Sequence, residues 1–247
     1  MDNTLLYLYV PLAFLIAGTV KGLVGIGLPT TVLSLLTLTL EPRLAIAMIL
    51  TPMLLTNAWQ VHRMGEVKRT AQQYWPFAAT LFIGVGVTVF AARNVNDAVL
   101  LGALGGAMLL FVAVSASKWA PHIPQHRDRL AQLIAGSLAG LMGGLTAVWA
   151  PPMALYLAAR QGGKNEFVRA TGLLIFFGSM PLIWGYLRQG YLTWQILAIS
   201  LALLVPTFAG FALGERLRNR MSEVAFKRIL LVFFALMGLN LIRRALM

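Results

Sequence analysis

The sequence predicts an all-α integral membrane protein, a polytopic helical bundle of two inverted repeats, and three observations carry that prediction. Hydrophobic residues make up 59% of the 247-residue chain and charged residues 11%, with a mean hydropathy of +0.77. So apolar a chain cannot cover a water-soluble globule of its size. Apolar runs of about 20 residues, enough to cross about 30 Å of hydrocarbon as helix, recur along it. Two glycine-rich stretches, AGTVKGLVG (17–25) and AGSLAGLMG (135–143), match at a constant offset, the mark of an internal duplication.

The elements follow in order. The start, MDNTLLYLYV, lacks the basic region and small-residue cleavage site of a secretory signal and reads as a retained membrane segment. The first repeat, 1–117, opens with a broken hairpin over 5–40 (arms Leu5–Thr19 and Thr30–Leu40), followed by spans at 44–62, 74–92 and 98–117. The basic segment KWAPHIPQHRDR, 118–129, links the copies. The second repeat, 130–247, has its hairpin over 130–160 (arms Leu130–Leu145 and Pro151–Ala159) and spans at 167–187, 193–213 and 224–242. The arms reach only about 14 to 24 Å as helix, so each hairpin is expected to enter and leave on one side. Three spans per repeat is an odd number, which makes the second copy enter from the opposite face. Ala45 and Gly65 align with Ala170 and Gly190 at a slightly longer offset.

Loop charge orients this scheme. The segments 63–69, 118–129, 160–169 and 214–228 share one side and hold fourteen Lys/Arg, against five (Arg43, Arg93, Arg188, Arg243, Arg244) on the other. The positive-inside rule puts the first group in the cytoplasm and both termini outside. The net charge of +12 is therefore read as topology and headgroup contact with the lipid bilayer, not as a nucleic-acid surface, because it is dispersed between apolar runs. Trp75, Trp119 and Trp194, at span ends, read as interface anchors.

Chemistry is constrained by what is missing. There is no Cys, which removes thiolate catalysis, disulfides and Cys-bound metal. The three histidines, His62, His122 and His126, form no H-E-x-x-H, and no G-x-S-x-G or phosphate-binding glycine loop occurs. No catalytic residue, metal site or cofactor is expected, and an enzyme is disfavoured. Glu41, Glu66 and Glu166 all fall at span ends, so a coupling proton would have to use His62 or the substrate itself. Oligomeric state has no signature in the sequence.

The two breaks attract the functional reading. Gly22, Gly25 and Gly27 before Pro29, and Gly143 and Gly144 before Pro151 and Pro152, are expected to stop one helix and start the next. Backbone left unpaired inside a bilayer is tolerated only beside protein or a water-filled cavity. Helix N-termini with Pro29, Thr30 and Thr31 on one side, and Pro151, Pro152 and Met153 on the other, would aim N–H donors at one midplane spot suited to an anion. Lys21 would add a full charge there, or else snorkel from a short helix to an interface. Its counterpart is Ala139, so a site using Lys21 is asymmetric. Asn57, with Thr56 and Gln60, can donate to an anion or bond neighbouring helices. Trp149 can line the second break. Glu166 and Arg169 are spaced for a local ion pair, with Arg169 alternatively meeting substrate at the inner mouth. Gly18/Gly22, Gly102/Gly106, Gly136/Gly140 and Gly210/Gly214 are small-xxx-small pairs that also suit helix packing.

GTVKGLVGIGLPTTVLSLL in the first half and GLMGGLTAVWAPPMALYLAARQGGKNEFVRAT in the second resemble the sulfite exporter TauE/SafE family of membrane permeases, over essentially the whole chain. The second break departs from a tighter glycine run by an inserted TAVWA. The resemblance implies transport of a small sulfur anion, such as sulfite or a sulfonate like sulfoacetate, across a bacterial inner membrane by alternating access. A passive small-anion channel and a carrier for a carboxylate or another oxyanion are the competing readings.

Overall fold

Glycine and proline punctuate long apolar helices here, and the backbone follows that punctuation. The computed structural model describes residues 3–37, 39–91, 97–116 and 123–246. Eleven α-helices occur among them and no strand: α1 (Asn3–Val24), α2 (Leu28–Leu36), α3 (Pro42–Met64), α4 (Val67–Thr88), α5 (Asp97–Ala116), α6 (Asp128–Thr146), α7 (Ala150–Ala159), α8 (Lys164–Arg188), α9 (Trp194–Ala202), α10 (Leu204–Asn219) and α11 (Glu223–Ala245). Four helical stretches, α3, α8, α9 with α10, and α11, are long and apolar enough to cross a bilayer. The chain is a multi-pass, all-helical membrane protein.

Several expectations shift. The first arm is longer than its apolar run: α1 has 22 residues and continues through Val24, with Leu8–Val24 its apolar part. Gly22 lies within α1, and only Gly25 (φ +85°) and Gly27 (φ +101°) make the break. Gly143 and Gly144 lie inside α6, which continues to Thr146; the second break falls at 147–149, with Ala147 in the left-handed region at φ +60°. Of the inserted TAVWA, Thr146 closes α6, residues 147–149 form the break and Ala150 opens α7. The last turn of α6 carries Gly143 under the Trp149 ring, where a Cβ would overlap the indole. The span expected at 193–213 is two helices that meet at Leu203, three residues before Pro206. Trp119, Arg93 and His122 lie outside the described residues.

Prolines inside helices free carbonyls that must find donors. Pro52 in α3 cannot donate to the Met48 carbonyl, and the Ser200 hydroxyl on α9 does so instead, at 2.8 Å. Thr193 and Ser222 cap α9 and α11 by accepting from the N–H of Ile196 and Ala225.

Packing partners correspond between the halves. α1 lies most closely on α10 and α6 on α4, while α5 pairs with α11 and α3 with α8. Exchanging the halves (α1 for α6, α3 for α8, α4 for α9–α10, α5 for α11) maps each of these pairs onto another or onto itself. Glycines set the tight approaches: a Cβ on Gly18 or Gly22 would overlap the α10 carbonyls of Thr207 or Phe211, and one on Gly136 would overlap Thr80 of α4. On α5 the close glycine is Gly105, against Gly238 and Ile242, whereas Gly106 faces open space. The paired positions Gly65 and Gly190 both take positive φ, 64° and 75°, where α3 and α8 end.

Candidate functional site

α3 and α8 run antiparallel. Arg43 at the start of α3 donates to Tyr191 just past the end of α8, at 2.9 Å, and Gln60 near the end of α3 donates to the Val168 carbonyl near the start of α8, at 2.7 Å. The first break docks at that second end. A Cβ on Gly25 would lie 2.9 Å from Val168 Cγ2, and the Gly25 carbonyl accepts from Gln60 Nε2 at 3.2 Å and from the Thr171 hydroxyl at 3.4 Å. The second break docks elsewhere: Gly144, in the last turn of α6 before it, abuts Val85 and Thr88 of α4 and Val89 just past that helix, and Val89 abuts Gly185 of α8. Thr171 and Gly185 are about 21 Å apart along α8. The neighbourhoods of the two breaks therefore meet opposite ends of α8 and do not converge on one spot.

What assembles at the first break is a buried polar cluster. The Lys21 ammonium, 1% exposed, donates to Asn57 Oδ1 at 2.6 Å and Gln60 Oε1 at 3.0 Å, and lies 5.9 Å from the centroid of the Phe211 ring. Asn57 Nδ2 turns back to the Met53 carbonyl at 2.6 Å, so its oxygen is held toward the lysine. Gln60 is the hub, its oxygen on Lys21 and its nitrogen on Val168, Gly25 and Thr171. Both acceptors of the ammonium are neutral amides, and among the described residues no carboxylate reaches it. Lys21 does not snorkel.

The helix start beside it is simpler than the sequence suggests. Pro29 is the second residue of α2, and the Thr31 N–H is already bonded to the Gly27 carbonyl at 2.9 Å, which leaves Leu28 and Thr30 as the unpaired N-terminal donors. Thr30 and Thr31 are buried, and among the described residues the Thr31 hydroxyl has no partner. At α7, Pro151 and Pro152 carry no N–H, so Ala150 alone donates from the first three positions. Met153 and Trp149 are buried within the second hairpin.

Arg169 and Glu166 do not pair with each other. Arg169 reaches Glu66, in the turn between α3 and α4, whose carboxyl it holds below the usual carboxylate range by hydrogen bond and charge, with Arg69 adding to the effect. Glu166 turns to α4 instead, accepting from the Tyr74 hydroxyl at 2.6 Å and from Gln73 at 3.2 Å. Nearby, Arg160 at the end of α7 bonds Asp128 at 2.6 Å, and Tyr156 donates to the same carboxylate at 2.8 Å.

Sequence reasoning missed Arg218. It sits in a basic run that reads as loop charge, yet it is 2% exposed and donates to the Gly22 carbonyl at 2.9 Å and to Glu215 at 3.3 Å. Its spacing from Gly210 and Gly214 on α10, four and eight residues, places it on the face packed against α1, the one signal available beforehand. Between α3 and α10 lies a cavity of about 400 Å³ lined by Trp59, Arg63, Phe208, Phe211, Glu215 and Arg216, among others.

Among known proteins, no curated protein and no solved structure matches the chain. A family model described as sulfite exporter TauE/SafE matches residues 10–241, through both hairpins and every helix of the polar cluster. The chain belongs to the sulfite exporter TauE/SafE family.

Proposed function

We propose that this membrane transporter carries a small sulfur oxyanion, sulfite or an organosulfonate such as sulfoacetate, across the bacterial inner membrane by alternating access. One observation carries the reading: the Lys21 ammonium is buried at a helix break with only two neutral amide acceptors, Asn57 and Gln60. A buried charge without a counter-ion is costly, and an ammonium has three donors, so an arriving anion supplies both the missing charge and the third acceptor. A deeply placed cation in a membrane chain marks a substrate path far more often than a structural contact. Gly25, Gly27 and Pro29 shape the break, and Thr30 and Thr31 with the start of α2 offer neutral donors beside it.

The family description, sulfite exporter, supports a sulfur anion as the substrate class. The correspondence of packing partners supports two inverted repeats, each a broken hairpin and three spans; Gly144, Trp149, Pro151, Pro152 and Met153 belong to the second, lysine-free break, which stands apart from the Lys21 site. Rocking one repeat against the other would expose the Lys21 site to either face. Arg169 at the inner mouth attracts the anion toward it and both termini lie outside; a coupling proton, where one is used, travels on His62 or on the substrate itself.

The test is counterflow in proteoliposomes. Sulfite or sulfoacetate preloaded on one side should drive saturable uptake of labelled anion by wild type, with at least a tenfold loss in Lys21→Ala that still elutes as folded protein. Uptake that never saturates points to a channel. Saturable uptake of acetate in place of the sulfur anions transfers the substrate to the carboxylates.

A further inference from the structure

A second buried cation stands beside Lys21. The Gly22 carbonyl, one residue along α1, accepts from Arg218 at 2.9 Å, and α10 approaches so closely there that a Cβ on Gly22 would overlap the Phe211 carbonyl. The same Phe211 presents its ring to the Lys21 ammonium, 5.9 Å from the centroid. The nearest negative charge is Glu215, 3.3 Å from Arg218 and 3.8 Å from Arg63, so one carboxylate is shared by two guanidinium groups. Each buried cation also keeps a donor in reserve. Lys21 spends two of three on amides, and Arg218 Nε is buried with no partner among the described residues.

Two buried positive charges set against one shared carboxylate leave an excess of positive charge in a low-dielectric place, which costs stability unless an anion enters. We propose that Arg218 is a second anion-binding residue and that Lys21 and Arg218 together select a doubly charged oxyanion, with Glu215 as the placeholder that moves from Arg218 to Arg63 when the anion arrives. This rests on the Lys21 reading above. Glu215 already touches both guanidinium groups, so the exchange needs only a small side-chain movement. Glu215 and Phe211, which contact Arg218 and Lys21 respectively, also line the cavity between α3 and α10. Guanidinium suits the task, since its N–H fork matches the edge of a sulfur oxyanion.

The experiment compares binding of sulfate, a dianion, with methanesulfonate, a monoanion that also presents three oxygens, to purified protein in neutral detergent by calorimetry. Wild type should prefer sulfate. Arg218→Gln should weaken sulfate about ten- to a hundredfold, the loss of one charged hydrogen bond, while methanesulfonate changes less than about threefold and the preference disappears. Glu215→Gln should tighten sulfate severalfold by removing its competitor. A folded Arg218→Gln protein that keeps the wild-type preference overturns the proposal. If that variant does not fold, Glu215→Gln decides, and unchanged or weaker sulfate binding overturns it. Sulfate binding abolished by added phosphatidylglycerol reassigns the two cations to a lipid headgroup, which also overturns it. Absence of any anion binding to wild type, or binding untouched in Lys21→Ala, is the separate result that sinks the Lys21 site itself.

Discussion

Lys21 and Gln60 meet across α1 and α3 at 3.0 Å, ammonium to amide oxygen, with no carboxylate in reach among the described residues. That neutrality is open to test. Gln60→Glu places a negative charge where the amide oxygen now sits, satisfying Lys21 internally. Transport should fall at least tenfold in protein that still elutes as folded, although the loss of the Nε2 donations to the Val168 and Gly25 carbonyls lowers the melting temperature in detergent. Gln60→Met, which removes the acceptor and the three donations to Val168, Gly25 and Thr171, should lose both transport and about 1–3 kcal/mol of stability. Transport retained in Gln60→Glu would argue that Lys21 carries no substrate.

The break at Gly25 makes a local demand. At φ +85°, with Val168 2.9 Å from where a Cβ would stand, Gly25→Ala should cost about 1–2 kcal/mol for the left-handed backbone alone. Gly106→Ala, in a helix and facing open space, should be neutral or slightly stabilising. Thermal melts of the two variants side by side separate a conformational requirement from a general intolerance of methyl groups.

Ser200 answers for Pro52. Ser200→Ala leaves the buried Met48 carbonyl without its donor and should cost about 1–3 kcal/mol. Restoring the helical N–H with Pro52→Ala in the same chain should recover most of that loss, read as non-additive melting temperatures.

Those breaks were legible beforehand because they are local: Gly27-Leu28-Pro29 can do little else in a helix of this polarity. The second break falls between the two arms expected at 130–145 and 151–159, but Gly143 and Gly144 do not make it: they serve contacts with Trp149 and α4, and a glycine required for packing looks the same in sequence as one required for φ. Arg218 was invisible for a different reason. Arg216, Arg218 and Arg220 read alike as loop charge, and only the docking of α10 on Gly22 takes the middle one out of water. Glu66 with Arg169 is likewise non-local, and its pairing displaced the simple (i, i+3) pair with Glu166.

Glu66 also sets a pH dependence. Arg169 depresses its folded pKa, so the pair contributes stability above the unfolded value of about 4.3, and that contribution is lost as pH falls through the lower folded value. Wild type should therefore melt above Glu66→Gln at pH 7, with the gap closing below about pH 4. A gap independent of pH would place the effect in packing and not in charge.

The fit of α1 against α10 bears on how the protein is made. Gly18 and Gly22 are shaped for Thr207 and Phe211, residues translated 189 positions later. At about 5–20 residues per second, α1 spends roughly ten to forty seconds in the membrane before the surface it was built for exists. During that interval its glycine-lined flank and the Lys21 ammonium have no α10 to cover them. Chaperoning by the insertion machinery, and not only the stability of the finished bundle, is then a condition on the sequence of the first hairpin.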